Sequence, residues 1–111
     1  MACQLLLSQK GPLPITINFK ALSDASALLE VNGSIWTQTA NAMIGIQVAI
    51  DGKPVGTAQI FSNTASTHRT VVPAYIPLQL TFGQHSITLS TQPSSSTVSD
   101  LNDFYTAVLH Y

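Results

Sequence analysis

The stretch Ile44-Gly45-Ile46-Gln47-Val48-Ala49-Ile50-Asp51-Gly52 decides the fold. Ile44, Ile46, Val48 and Ile50 recur at every second position. Successive side chains of an extended chain point to opposite faces, so these four share one face and Gly45, Gln47 and Ala49 the other. Asp51-Gly52 follows at once. An Asp-Gly pair between β-rich runs supplies the two positive φ angles of a type I′ turn, so the spacing predicts a hairpin whose return strand runs from about Val55 to Phe61, after Pro54 has cleared the turn.

Working outward, the same period of two recurs. Ile15, Ile17, Phe19 and Ala21 alternate with Thr16, Asn18 and Lys20 after the break at Gly11, Pro12 and Pro14. Beyond a Ser23-Asp24 turn, Ala27, Leu29, Val31, Gly33 and Ile35 alternate with polar residues and Trp36. Val71 to Ile76 and Pro77 to Phe82 read as extended, with Pro73 and Pro77 pushing them toward sheet edges or bends. Gly83-Gln84 predicts a second hairpin, from Phe82 into Ile87 and Leu89. Asn63 to Thr67 and the Ser-rich Gln92 to Ser99 read as loops. Phe104 to Leu109 carries apolar residues on both alternating sets and reads as a strand buried on both faces. Turn signals every 8 to 12 residues and the lack of any helical period define an all-β chain of about eight or nine short strands, a sandwich or barrel.

At 111 residues the chain reads as a single domain, residues 1–111, with one hydrophobic core. Apolar residues make up 45% and charged residues 8%, against roughly a quarter charged in ordinary domains. Such a chain is too apolar for disorder, and its polar surface rests on 12 Ser, 12 Thr and the amides. Uncharged polar groups cost less to desolvate than charges, which suits protein contact or sugar binding. A net charge of −1 with scattered Lys and Arg leaves no basic stripe for nucleic acid. No apolar run reaches the roughly 20 residues of a membrane helix. Met1 to Leu7 has no basic start or cleavage signature and is not read as a signal peptide, so the chain is expected to be a soluble, mature protein. The single Cys3 excludes an internal disulfide and reads as a small apolar residue in or beside the first strand, an intermolecular disulfide or reactive thiol being the alternative. It leaves the compartment open between cytosol, cell surface, virion and non-classical export.

Val31-Asn32-Gly33-Ser34, the Val48 to Gly52 hairpin, Gly83-Gln84-His85-Ser86-Ile87-Thr88-Leu89 and Asn102-Asp103-Phe104 together resemble, over about two-thirds of the chain, jelly-roll domains of the tumour necrosis factor and complement globular-head type, including bacterial and phage domains of this shape. The resemblance implies a jelly-roll β-sandwich in preference to an immunoglobulin-like one, a homotrimer, and recognition through loops or protomer interfaces.

No catalytic motif is present. His68, His85 and His110 lack a neighbouring nucleophile motif and read as surface or cap residues, and Gly-x-Ser-x-Gly, His-x-His and His-Glu-x-x-His are missing. Asp100, Asn102 and Asp103 place three oxygen-bearing side chains in four residues, but a hydrogen-bonded turn accounts for them better than calcium, so no metal and no cofactor is expected. Trp36 is out of phase with Val31, Gly33 and Ile35 and points from their face, as a stacking platform or interface wall. Tyr75 joins it as a candidate, although the core is the default for tyrosines here. Asn63 to Arg69 holds the densest set of hydrogen-bonding side chains. Trp36, Asn63, His68, Arg69 and Tyr75 are therefore the candidate ligand-binding residues.

The function expected is a non-enzymatic recognition or assembly module, a homotrimeric jelly roll presenting loops to a protein or glycan. The alternatives are a carbohydrate-binding lectin using Trp36 and the Asn63 to Arg69 loop, and a small hydrolase assembling His85 with Asp51 or Asp103. The hydrolase requires two of those side chains within hydrogen-bond reach in a cleft.

Overall fold

The computed structural model describes residues 2–111, so Met1 of the first apolar run lies outside the described residues. The strands are β1 (Cys3–Lys10), β2 (Ile15–Ala21), β3 (Ala25–Thr37), β4 (Ala42–Ile50), β5 (Lys53–Ser62), β6 (Arg69–Thr70), β7 (Ala74–Leu80), β8 (Gly83–Thr91), β9 (Thr97–Val98) and β10 (Phe104–His110). Among the described residues no helix is long and apolar enough to cross a membrane.

Two antiparallel sheets form. One runs β1-β10-β3-β7, and the other β2-β8-β4-β5. The chain thus changes sheet at most connections, and the eight longer strands pair in the order of a jelly roll. The jelly roll is therefore the sandwich adopted, in preference to the immunoglobulin-like arrangement.

The β4–β5 hairpin is as its sequence requires. Ile50 pairs with Lys53, and Asp51 and Gly52 take φ of 52° and 80°, the positive angles of a type I′ turn. Ile44, Ile46 and Val48 are fully buried against Leu29, Val31 and Ile35 of the facing sheet, all in one core. β1 departs from alternation because a bulge between Leu5 and Leu7 places both Leu6 and Leu7 in the core and leaves Leu5 outside.

Two expectations are corrected, and Cys3 is placed where the sequence put it. Phe82-Gly83 is not a hairpin: β7 pairs with β3 and β8 with β2 and β4, so this turn crosses between sheets. β10 is not buried on both faces: Tyr105, Ala107 and Leu109 are buried and their alternates are exposed or half-buried, because no second layer covers the outside of this sheet. Cys3 lies in the first strand but is exposed.

β3 positions the candidate site. It is 13 residues long and outruns its main neighbours, with β7 along Ala25 to Val31 and β10 along Leu28 to Gly33. Its last residues are held by short pieces, Ser34 and Ile35 by β6 and Trp36 and Thr37 by β9. The loops before β6 and β10 therefore close over one end of this sheet.

Candidate functional site

On the outer face of the β1-β10-β3-β7 sheet, at that end, lies a shallow cleft of about 270 Å³. Two cross-strand rows line it. Asn32 of β3 opposes Thr106 of β10, and one step further Ser34 opposes Thr70 of β6 with Phe104 alongside. Alternation turns each of these side chains outward, since their neighbours Val31, Ile35, Tyr105 and Ala107 fill the core. Phe104 is 48% exposed, an apolar ring set among one amide and three hydroxyl side chains. Gly33 lies between the rows because Tyr105 packs directly onto its backbone, where a Cβ would collide with the ring.

Asp103 underlies the end of the cleft. It is 0% exposed. Oδ1 accepts hydrogen bonds from Ser34 Oγ at 2.8 Å and from His68 Nδ1 at 2.6 Å, while Oδ2 accepts from the Asp100 N–H at 2.8 Å. The buried carboxylate thus has its oxygens satisfied by three donors. The bond to Asp103 raises the His68 pKa above the usual histidine value. The His68 ring in turn lies against Trp36, with centroids 5.9 Å apart. Tyr105 sits beneath with its hydroxyl buried and without a hydrogen-bond partner, and burial pushes its pKa up.

His68 and the carboxylates of Asp100 and Asp103 offer ligand atoms within 4.8 Å of one another. The turn accounts for these carboxylates, since Asp100 Oδ1 accepts from the Asn102 N–H and both Asp103 oxygens are already occupied. Three ligand atoms also fall well short of the six to eight oxygens that calcium takes.

A second constellation lies at the opposite end. His85 Nδ1 is 2.7 Å from Asp51 Oδ2, beside a shallow cleft lined by Asn18, Asp51, Gln84, His85 and Ser86. This meets the proximity that the hydrolase alternative requires. The rest of the geometry opposes it, because Nε2 is engaged by the Thr81 carbonyl at 2.8 Å and Asp51 Oδ1 by the Ser86 N–H at 2.8 Å. With both ring nitrogens directed at protein acceptors, neither faces a substrate whose proton it could take. The pair instead ties the β4–β5 turn to β8. His110 is paired too, with Glu30 at 2.8 Å, so all three histidines contact a carboxylate and none is a solitary surface residue.

Of the sequence candidates, the structure brings Trp36 and His68 together, Trp36 lying two residues along β3 from Ser34. Trp36 is half-buried, and its Nε1 is buried without a partner, so it is not an open platform. Arg69 pairs with Ile35 and therefore shares the inward-facing side, away from the cleft. Asn63 is exposed on its loop, with no hydrogen bond tying it to the cleft residues. Tyr75 is not in the core: it is 57% exposed and bonds Glu30, six residues or about 20 Å from Trp36 along β3. Sequence reasoning missed Asn32, Ser34, Thr70, Phe104 and Thr106. Alternation marks Asn32, Ser34, Phe104 and Thr106 as pointing away from the core, but nothing local says that β3 and β10 are neighbours.

No protein-family model matches the sequence, and no curated protein sequence does so. Solved structures match at the level of fold. An exo-β-1,3-galactanase from Phanerochaete chrysosporium, solved with β-1,3-galactotriose, is 17% identical with a TM-score of 0.53 over 87% of this chain and 21% of its own. The C-terminal domain of EclA, a sugar-binding protein, is 16% identical with a TM-score of 0.51 over 91% of this chain and 69% of its own. The latent dimeric PorU of Porphyromonas gingivalis is 8% identical with a TM-score of 0.54 over 96% of this chain and 11% of its own. The chain thus spans about a fifth of the galactanase. At these identities the matches define a class, the jelly-roll β-sandwich. None of the three is of the tumour necrosis factor or complement type.

Proposed function

We propose that this chain is a non-enzymatic carbohydrate-binding module whose ligand lies in the cleft of Asn32, Ser34, Thr70, Phe104 and Thr106. The observation that carries it is the half-exposed Phe104 ring set among uncharged hydrogen-bonding side chains. A sugar ring presents an apolar C–H face for stacking and hydroxyls at its rim, and this lining offers one aromatic surface with an amide and three hydroxyls around it. The absence of charged side chains from the lining lowers the desolvation cost of binding a neutral ligand. Trp36 and His68 lie outside the lining and reach it only through Asp103, which His68 and Ser34 share, while Asn63, Arg69 and Tyr75 take no part. Two of the folds it resembles belong to proteins described with sugars, which agrees with this reading.

The homotrimer implied by the tumour necrosis factor resemblance is not needed, since all the lining residues come from one chain. The test is a glycan array followed by ¹H–¹⁵N NMR titration with the binding oligosaccharides, β-1,3-galactotriose among them. Chemical-shift changes should fall on the amides of the five lining residues, and Phe104→Ala should weaken binding about tenfold. No binding anywhere on the array, or shifts confined to the Asp51 end, would sink the proposal.

A further inference from the structure

The geometry points to a neutral saccharide that gives one of its hydroxyl protons to Ser34, with buried Asp103 as the positioning residue that makes Ser34 an acceptor. This rests on the carbohydrate-binding reading of the cleft. A serine hydroxyl has one proton and two lone pairs, and in an unconstrained site it rotates to suit whichever group it meets. Ser34 has lost that freedom. Its proton is directed to Asp103 Oδ1 at 2.8 Å, and the carboxylate that receives it has no proton to return.

Asp103 is itself fixed. It is 0% exposed and is held on its other side by the Asp100 N–H, with the His68 N–H sharing Oδ1. Rotating Ser34 to donate outward would remove one of the donors of a fully buried carboxylate, a costly loss. Ser34 therefore faces the cleft with lone pairs alone. A sugar hydroxyl can satisfy it by donating. A carboxylate or sulfate placed there brings only acceptor oxygens to a group that can only accept, so neither side is satisfied. The cleft accordingly selects against acidic sugars at this point although the chain as a whole is nearly neutral.

The test uses the whole chain with β-1,3-galactotriose, its singly O-methylated derivatives, and a galacturonic acid trimer as the acidic counterpart. Wild type should bind the neutral trimer at least tenfold more tightly than the acidic one. Ser34→Ala should weaken neutral binding about five- to tenfold and also lower the unfolding temperature, because it takes one donor from buried Asp103. One methyl ether should lose affinity in wild type by a similar factor and lose nothing further in Ser34→Ala, a pattern that a general loosening of the site would not produce. Asp103→Asn should reduce binding only when Ser34 is present, so that the double variant binds like Ser34→Ala. If Asp103→Asn does not fold, the methyl-ether comparison decides alone. Neutral binding unaffected by Ser34→Ala, or tighter binding of the acidic trimer, overturns this inference and leaves the carbohydrate site standing. Failure of wild type to bind any glycan on the array overturns both.

Discussion

Gly33 shows how a single residue couples the core to the cleft. It sits in β3 between Asn32 and Ser34, and the ring of fully buried Tyr105 occupies the space where its Cβ would be. Gly33→Ala forces either the ring or the strand to move in a packed interior, so urea unfolding should show a loss of about 1–3 kcal/mol. The His85–Asp51 pair gives a second expectation at this scale. The bond to Asp51 raises the His85 pKa above 6.5, so the stabilisation from this group is complete below 6.5 and is lost as pH rises through the higher folded value. The bond to His85 lowers the Asp51 pKa below 3.8, so its share is complete above 3.8 and is lost as pH falls through the lower folded value. The pair therefore stabilises most between those two reference values. Since Asp51 is half exposed, solvent screening holds the effect to about 1 kcal/mol or less. Thermal unfolding across pH 3 to 9 should show this plateau in wild type and a flatter profile in His85→Gln.

Among the elements, the β4–β5 hairpin separates what a turn contributes from what a core face contributes. Gly52 has a φ of 80° with nothing near its missing Cβ, so Gly52→Ala pays only for backbone conformation, about 1–2 kcal/mol. Ile46 is fully buried on the same hairpin, and Ile46→Ala leaves a cavity, costing about 2–5 kcal/mol. Chemical denaturation of the two variants should rank them in that order, and equal losses would mean that the turn carries more of the hairpin than its contacts indicate. This hairpin was legible because its two strands are adjacent in sequence and joined by two residues of distinctive chemistry. The Phe82-Gly83 turn has a similar composition yet crosses between sheets. A turn of that kind can serve either connection, and the choice lies with distant partners, β3 for one strand and β2 and β4 for the other.

For the molecule as a whole, the scarcity of charge has a direct consequence. The cleft holds no ionic side chain, so raising sodium chloride from about 50 to about 500 mM should change glycan affinity less than twofold. Isothermal titration at the two salt concentrations would measure it, and a steep dependence would point to a charged ligand. A site complete within one chain also predicts that sedimentation equilibrium finds the 11.8 kDa species competent to bind. Binding confined to a species three times that mass would restore the trimeric assembly.

The inward faces of β2, β3 and β4 and the type I′ turn were determined by the sequence alone, because alternation and turn chemistry act between residues close along the chain. Ile44, Ile46, Val48 and Ile50 could be assigned to a core before any partner was known. Tertiary structure alone decided the jelly-roll order of the strands, and with it the site. Asn32 and Thr106 are 74 positions apart, and Ser34 and Asp103 69, so what brings them into one cleft is the pairing of β3 with β10 and the loop folded over their end. Such pairing is set by the packing of the whole core, a property no short window of sequence contains.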